Sequence, residues 1–185
     1  QAGRSTTGNP YWVGNGGSIL CNQVLGMSNI TFNNTANSGS NNNTSGTTSQ
    51  TVTETITASL ADTYRSTVYN NWKKDGTVRQ GDWGYGNCTG LWFFDNKLSS
   101  ALSKGTTKSV SIKITRQSGG NSGAVTHTLK VHNHATRPSG APTMGSTITT
   151  FSLATGASTT LNLTSAQITT LKSGKGIGLQ SSYSN

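Results

Sequence analysis

The chain has 185 residues and a net charge of +9, and glycine, asparagine, serine and threonine fill 97 of its positions while charged residues fill 10%. That length supports one compact domain, and the single glutamate together with the excess of threonine over alanine and leucine excludes an all-α fold. Four Trp, five Tyr and four Phe set the chain apart from disordered sequences of similar polarity.

Residues 1–20 place turn chemistry around Tyr11 and Trp12 and read as an arm or an irregular first strand. Val24, Leu25, Ile30 and Phe32 suffice for a strand or two, so 1–32 is taken as one N-terminal unit. From 33 to 50 every residue but Ala36 is Asn, Thr, Ser, Gly or Gln. Such a segment has little apolar area to offset ordering, which predicts an exposed loop or linker. The folded body is expected over 51–185.

Within it, Val52, Ile56, Ala58 and Leu60 share one parity and Thr51, Thr53, Thr55 and Thr57 the other, as in a half-buried strand. Lys74-Asp75-Gly76 reads as a turn before a short strand at Thr77-Val78-Arg79-Gln80. Asp95, Asn96, Leu98, Ala101, Leu102 and Gly105 predict a short helix with an Asp or Asn cap and a Gly stop. Val110, Ile112 and Ile114 alternate with Ser111, Lys113 and Thr115, and a Gly/Ser/Asn turn leads to a second alternating run at Val125, His127, Leu129 and Val131. The two runs predict a hairpin. Strands follow around 148–153 and 159–163, then a helical turn at 165–171 ending at Gly174, then a last strand at 176–180. Short strands with regular turn signals predict an all-β, antiparallel, jelly-roll-like β-sandwich with one or two short helical turns.

The positive residues occur singly apart from Lys73-Lys74, and no apolar run approaches the ~18 residues of a membrane span, so neither nucleic acid nor membrane insertion is expected. Cys21 and Cys88 fit either one bridge or two small buried thiols. No Gly-x-Ser-x-Gly elbow or P-loop is present, and no cofactor is expected. His132 and His134, two apart, share a strand face but lack an evident third ligand, so a solvated polar face is expected and they stay the weaker, metal-ligating alternative. His127 shares the parity of Leu129 and is expected to be buried and hydrogen-bonded. Among the acids, Asp75, Asp82 and Asp95 lie nearest one another, Asp75 in a turn and Asp95 at a helix start, which leaves Asp82 as the acid to test.

The stretch from Gly81 to Phe94 holds the most information. Glycines flanking Trp83 and Tyr85 leave those rings uncovered by sequence neighbours, and flat rings beside directional polar groups suit sugar faces. Trp83, Tyr85, Asp82, Arg79 and Asn87 form the candidate carbohydrate-contact group, while Trp92 and Phe94 are expected in the core.

The order Thr63-Tyr64-Arg65, Trp72, Val78-Arg79-Gln80-Gly81-Asp82-Trp83 and Gly90-Leu91-Trp92-Phe93-Phe94 resembles the C-terminal β-sandwich domain of minor tail or fibre proteins from phages of Gram-positive bacteria. Ile112-Lys113-Ile114-Thr115-Arg116, a strand ending in His132, Arg137-Pro138-Ser139-Gly140-Ala141-Pro142 and Lys175-Gly176-Ile177-Gly178-Leu179 continue the same order, so the resemblance covers about 50–183. It implies a virion-associated, extracellular module that touches host surface polysaccharide, commonly as a homo-oligomer or against other virion proteins, with no catalytic set to carry over. A purely structural fibre or capsid decoration is the alternative, followed by a polysaccharide depolymerase or a bacterial adhesin domain.

Overall fold

The computed structural model describes residues 23–37, 49–67, 69–82, 87–117 and 123–180. Among them the elements run β1 (Gln23–Asn37), β2 (Ser49–Ile56), β3 (Leu60–Arg65), β4 (Asn71–Lys73), β5 (Val78–Asp82), β6 (Asn87–Phe93), α1 (Lys97–Ser103), β7 (Thr106–Arg116), β8 (Val125–His132), β9 (Met144–Leu153), β10 (Ser158–Asn162), α2 (Ser165–Lys172) and β11 (Gly176–Leu179). Every strand pairing is antiparallel, and the all-β sandwich or barrel class expected from the sequence is the class observed.

The strands follow one path, β10-β7-β1-β5-β6-β11-β8-β9, with β2 attached to β1, β3 to β6 and β4 to β3. One edge of β1 runs along β7, while the other pairs with β5 at residues 23–25 and with β2 from Ile30 onward. A bulge at Ser28, where the register against β7 shifts, lies between those two partners. At the far end, β9 and β10 are joined by a tight turn, and Arg116 of β7 donates its backbone N–H to Ala157 O at 2.8 Å and Nη1 to Leu153 O at 2.8 Å. The sheet therefore nearly closes on itself.

The interior is filled from both halves: Ile30 and Phe32 of β1, Ile112 of β7, Leu129 of β8 and Ile177 of β11 are fully buried. Leu98 and Ala101 of α1 and Leu171 of α2 plug it with small apolar faces. α2 starts on a capping box in which Thr164 Oγ1 accepts from Gln167 N and Gln167 Oε1 accepts from Thr164 N. α1 matches the expected helix and stops at Gly105, whose φ is 90°, but its N-cap residue Asn96 makes no side-chain cap bond and Asp95 precedes it at φ 53°.

Three local expectations are corrected. β7 and β8 do not form a hairpin: β7 pairs with β1 and β10, and β8 with β11 and β9, because β1, β5, β6 and β11 stand between them in the sheet. The alternating run beginning at Val52 stops at Ile56; Leu60 opens β3, and Val52 and Leu60 are exposed at 40% and 36%. The polar 33–50 segment is not wholly loop, since β1 extends through Asn37 and β2 begins at Ser49, while 38–48 lie outside the described residues. β1 carries polar residues there because Asn34, fully buried, donates Nδ2 to Ala101 O at 2.8 Å.

Cys88 of β6 is buried and disulfide-bonded. The chain's other cysteine, Cys21, lies outside the described residues.

Candidate functional site

The β5–β6 hairpin brings part of the predicted contact group together. Its register pairs Gly81 with Cys88 and Asp82 with Asn87, so these last two residues sit side by side at the head of the ladder. Trp83 and Tyr85 fall in the four residues between them, outside the described residues. Asn87 is exposed, and its N–H donates to Ser66 Oγ at 2.7 Å while its carbonyl accepts from Ser66 N at 3.0 Å, which pins the hairpin to the end of β3.

Arg79 is engaged elsewhere. Its Nη1 and Nη2 reach Asp75 Oδ1 and Oδ2 at 3.1 and 3.0 Å, a bidentate pair that Lys73 joins at 3.2 Å. Partial burial opposes ionisation of Asp75, yet the hydrogen bonds from Arg79 and Thr77 and the charge of Arg79 hold its carboxyl well below the usual carboxylate range. In the structure Arg79 braces the β4–β5 turn through this pair. Gln80, its neighbour, is buried: Nε2 donates to Thr126 O at 3.1 Å and Oε1 accepts from Thr128 N at 3.3 Å, so one side-chain amide stands in for a strand peptide beside β8.

A second apolar layer lies behind this hairpin, on the opposite face of β6. Trp92 and Phe94 enter the main core as expected, while Leu91 and Phe93 pack with Tyr64 and Trp72 in a separate cluster. Tyr64 and Trp72 meet edge-on at 5.4 Å, and Trp72 Nε1 donates to Pro138 O and Gly140 O at 2.8 and 3.2 Å. Residues 133–143 thus form a strap over the cluster. Its other fastening is Arg137, whose Nε donates to Asp62 Oδ2 at 2.9 Å with Nη2 on the same oxygen, while Asp62 Oδ1 accepts from Gly76 N at 3.3 Å. Asp62 is buried, and no local sequence pattern marks it, because its partner is 75 positions away.

The histidines belong to this layer too. His132 lies opposite Leu129 and Val131 as predicted, yet its face is not solvated there: the ring stacks on His134 at 5.7 Å and packs against Phe93 at 5.1 Å. Its Nε2 donates to Trp92 O at 3.1 Å and Nδ1 accepts from His134 N at 3.3 Å, and burial pushes it down to about 4. His134 Nε2 accepts from Thr143 N at 3.0 Å. Both rings brace the strap, and no group of three potential metal ligands occurs among the described residues. His127 is buried as expected, but neither ring nitrogen has a hydrogen-bond partner among the described residues; burial, with the nearby charge of Arg116, pushes it down to about 4.

Glycines let the central strands of this layer approach one another. A Cβ on Gly90 would lie 2.6 Å from Arg79 O, and one on Gly178 2.7 Å from Gly90 O. Of the motifs that carry the resemblance, those in β3, β4, β6, β11, the end of β8 and the strap lie in or beside this layer, whereas residues 112–116 belong to β7, which pairs with β1 and β10 and faces the main core.

Two further surfaces carry polar groups that the sequence did not single out. An open groove of about 600 Å³ lies between the end of β2 and the start of α1, lined by Glu54, Thr55, Thr57, Asp95, Asn96 and Lys97, with Glu54 tied to Lys104 at 2.9 Å. The outer face of β10-β7-β1-β2 is a ladder of hydroxyls and amides. Asp75 and Asp95, which the sequence sets close together, stand apart: Asp75 serves the β4–β5 turn and Asp95 this groove. Compared with known proteins, the chain matches no family model, no curated protein and no solved structure.

Proposed function

We propose that the chain is a carbohydrate-binding module of a phage tail, fibre or baseplate, displayed on the virion and attaching to host-surface polysaccharide without altering it. The observation that carries this reading is the allocation of charge. Glu54, Asp62 and Asp75 are each closed onto a cation, so the described surface presents hydroxyls, amides and ammonium groups such as Lys74, Lys108, Lys113 and Lys172, with little carboxylate beyond Asp95. Such a surface recognises hydroxylated and anionic polymers and offers few groups for acid–base cleavage of them.

Two features support it. The register brings Asp82 and Asn87 opposite one another, and the sequence places Trp83 and Tyr85 in the four residues between them, two aromatic residues flanked by an acid and an amide. The Cys88 disulfide suits a particle exposed to oxidising surroundings.

The test is a glycan array bearing Gram-positive wall polymers, probed at two salt concentrations with the wild-type chain, Trp83→Ala and Tyr85→Ala. Selective binding that tolerates salt and falls about five- to 150-fold in both variants is expected, the scale of losing ~1–3 kcal/mol of ring contact. Binding undiminished in both variants removes the hairpin from the site, no binding at all moves the chain to a structural fibre or capsid part, and release of reducing ends makes it a depolymerase.

A further inference from the structure

The outer face of β10-β7-β1-β2 is built almost wholly from groups that both donate and accept hydrogen bonds. Cross-strand register sets Thr55, Thr31, Ser111 and Asn162 in one row, and Thr53, Asn33 and Ser109 in the next. Further rows place Thr160 beside Lys113 and Asn29, and Ser158 beside Thr115. The side chains are exposed or half-exposed, while the inward alternates Ile30, Phe32, Ile112 and Ile114 are buried.

Neighbours in these rows bond to one another. Thr53 Oγ1 donates to Asn33 Oδ1 at 2.8 Å and Asn33 Nδ2 to Ser109 Oγ at 2.9 Å; Thr31 and Thr55 hydroxyls meet at 3.2 Å, and Thr115 and Ser158 at 2.7 Å. The rotamers are therefore held before any ligand arrives, which lowers the entropy cost of binding. Each hydroxyl has a second lone pair left over. The array repeats at ~4.8 Å across the strands and at roughly 6.5–7 Å along them.

Charge selects the occupant. An ordinary solvated face mixes both signs over about a quarter or more of its residues. Here Lys113 is the charge within the rows, the exposed Lys108 stands at the β7 bulge, and among the described residues no carboxylate belongs to these rows. A second copy stacked on it would find no apolar centre to bury and would meet like charge. A hydrated polymer with hydroxyls along its length and anionic groups at intervals satisfies both sets of groups.

We propose that this face is a binding surface for an extended polyol-phosphate polymer, whose hydroxyls engage the Thr, Ser and Asn rows and whose phosphodiesters meet Lys113 and Lys108. The inference shares with the proposed function only the class of ligand; the surface is distinct from the β5–β6 hairpin. The two lysines are five residues apart, on the order of 16 Å along the strand and beyond a Debye length at physiological salt, so they act singly and the hydroxyl rows must supply the rest.

The experiment measures binding of the full chain to poly(glycerol phosphate), to dextran as a hydroxyl-only probe and to inorganic polyphosphate as an anion-only probe. Poly(glycerol phosphate) is expected to bind at least tenfold tighter than either. Lys113→Gln should weaken it about fivefold, as losing one exposed charge contact of ~1 kcal/mol does. The double variant Thr31→Val, Thr53→Val, which keeps shape and β-propensity but removes two hydroxyls, should weaken it tenfold or more, with the circular dichroism spectrum and melting temperature checked first. Polyphosphate binding as tightly overturns the proposal in favour of charge alone. Unchanged affinity in both lysine and valine variants, with loss in Trp83→Ala, overturns it while leaving the hairpin reading standing, and a dimer that the valine variant dissociates in sedimentation replaces the polymer with a second copy.

Discussion

His127 and His132 occupy the interior as neutral rings, and that makes the fold sensitive to acid. Burial pushes both down to about 4 from an ordinary 6.5, so the unfolded chain binds protons between those values that the folded chain refuses. A lowered histidine value means the contribution is complete above pH ~6.5 and is lost as pH falls toward 4, at a combined slope approaching ~2.7 kcal/mol per pH unit and amounting to about 3 kcal/mol per ring. Around His132 stand the Trp92 carbonyl, the His134 N–H and the Phe93 ring; around His127, Arg116 and Phe151. A proton on His132 Nδ1 would face an N–H that already donates to it. Urea unfolding at pH 7, 6, 5 and 4.5 should show this fall, and His127→Leu should halve the slope while removing two buried nitrogens that have no hydrogen-bond partner among the described residues. Stability that is level from pH 7 to 4.5 contradicts the assignment. The sequence showed that His127 shares a face with Leu129, but the fate of His132 depended on what covers the other face, which strand periodicity does not encode.

At the scale of elements, period-two patterns located β7 and β8 but could not choose their partners. Alternation states which face of a strand is buried; pairing is decided by how two halves of a sandwich meet, so β7 and β8 separate although a turn signal joins them. Local pattern also missed the polar extension of β1, because Asn34 is stabilised by Ala101, 67 positions away. The strap shows the same limit. Its role as a cover for Tyr64, Trp72 and Phe93 rests on Asp62 and Trp72, both distant in sequence. Removing the cation should therefore open one element before the rest: Arg137→Ala leaves Asp62 buried and uncompensated at a cost of about 3 kcal/mol. Hydrogen exchange should quicken in 133–143 and at Gly76 while β7 amides keep their protection. Uniform exchange across the molecule, or none beyond wild type, shows that the ion pair does not hold the strap.

For the molecule as a whole, the near-closure of the sheet leaves few ways to unfold piecemeal, and the disulfide restricts the unfolded ensemble more than the native one. Cys88 sits within β6, between β3 and β5, with its side chain buried, and the chain's other cysteine is Cys21, 67 positions earlier. Closing a loop of that length lowers the entropy of the unfolded chain by the equivalent of about 4 kcal/mol. For a chain of this size each kcal/mol moves the melting temperature by ~2–4 °C. Reduction with a thiol, or the Cys21→Ala variant, is expected to lower it by roughly 10 °C, and peptide mapping without reductant should recover a Cys21–Cys88 linked pair. Asp62 and Arg137 are untouched by the reductant, so exchange in the strap should change only as global stability falls, which separates this effect from that of Arg137→Ala. A melting temperature identical with and without reductant means that the bridge contributes no stability to the folded domain, and the oxidising setting inferred from it then loses its physical support.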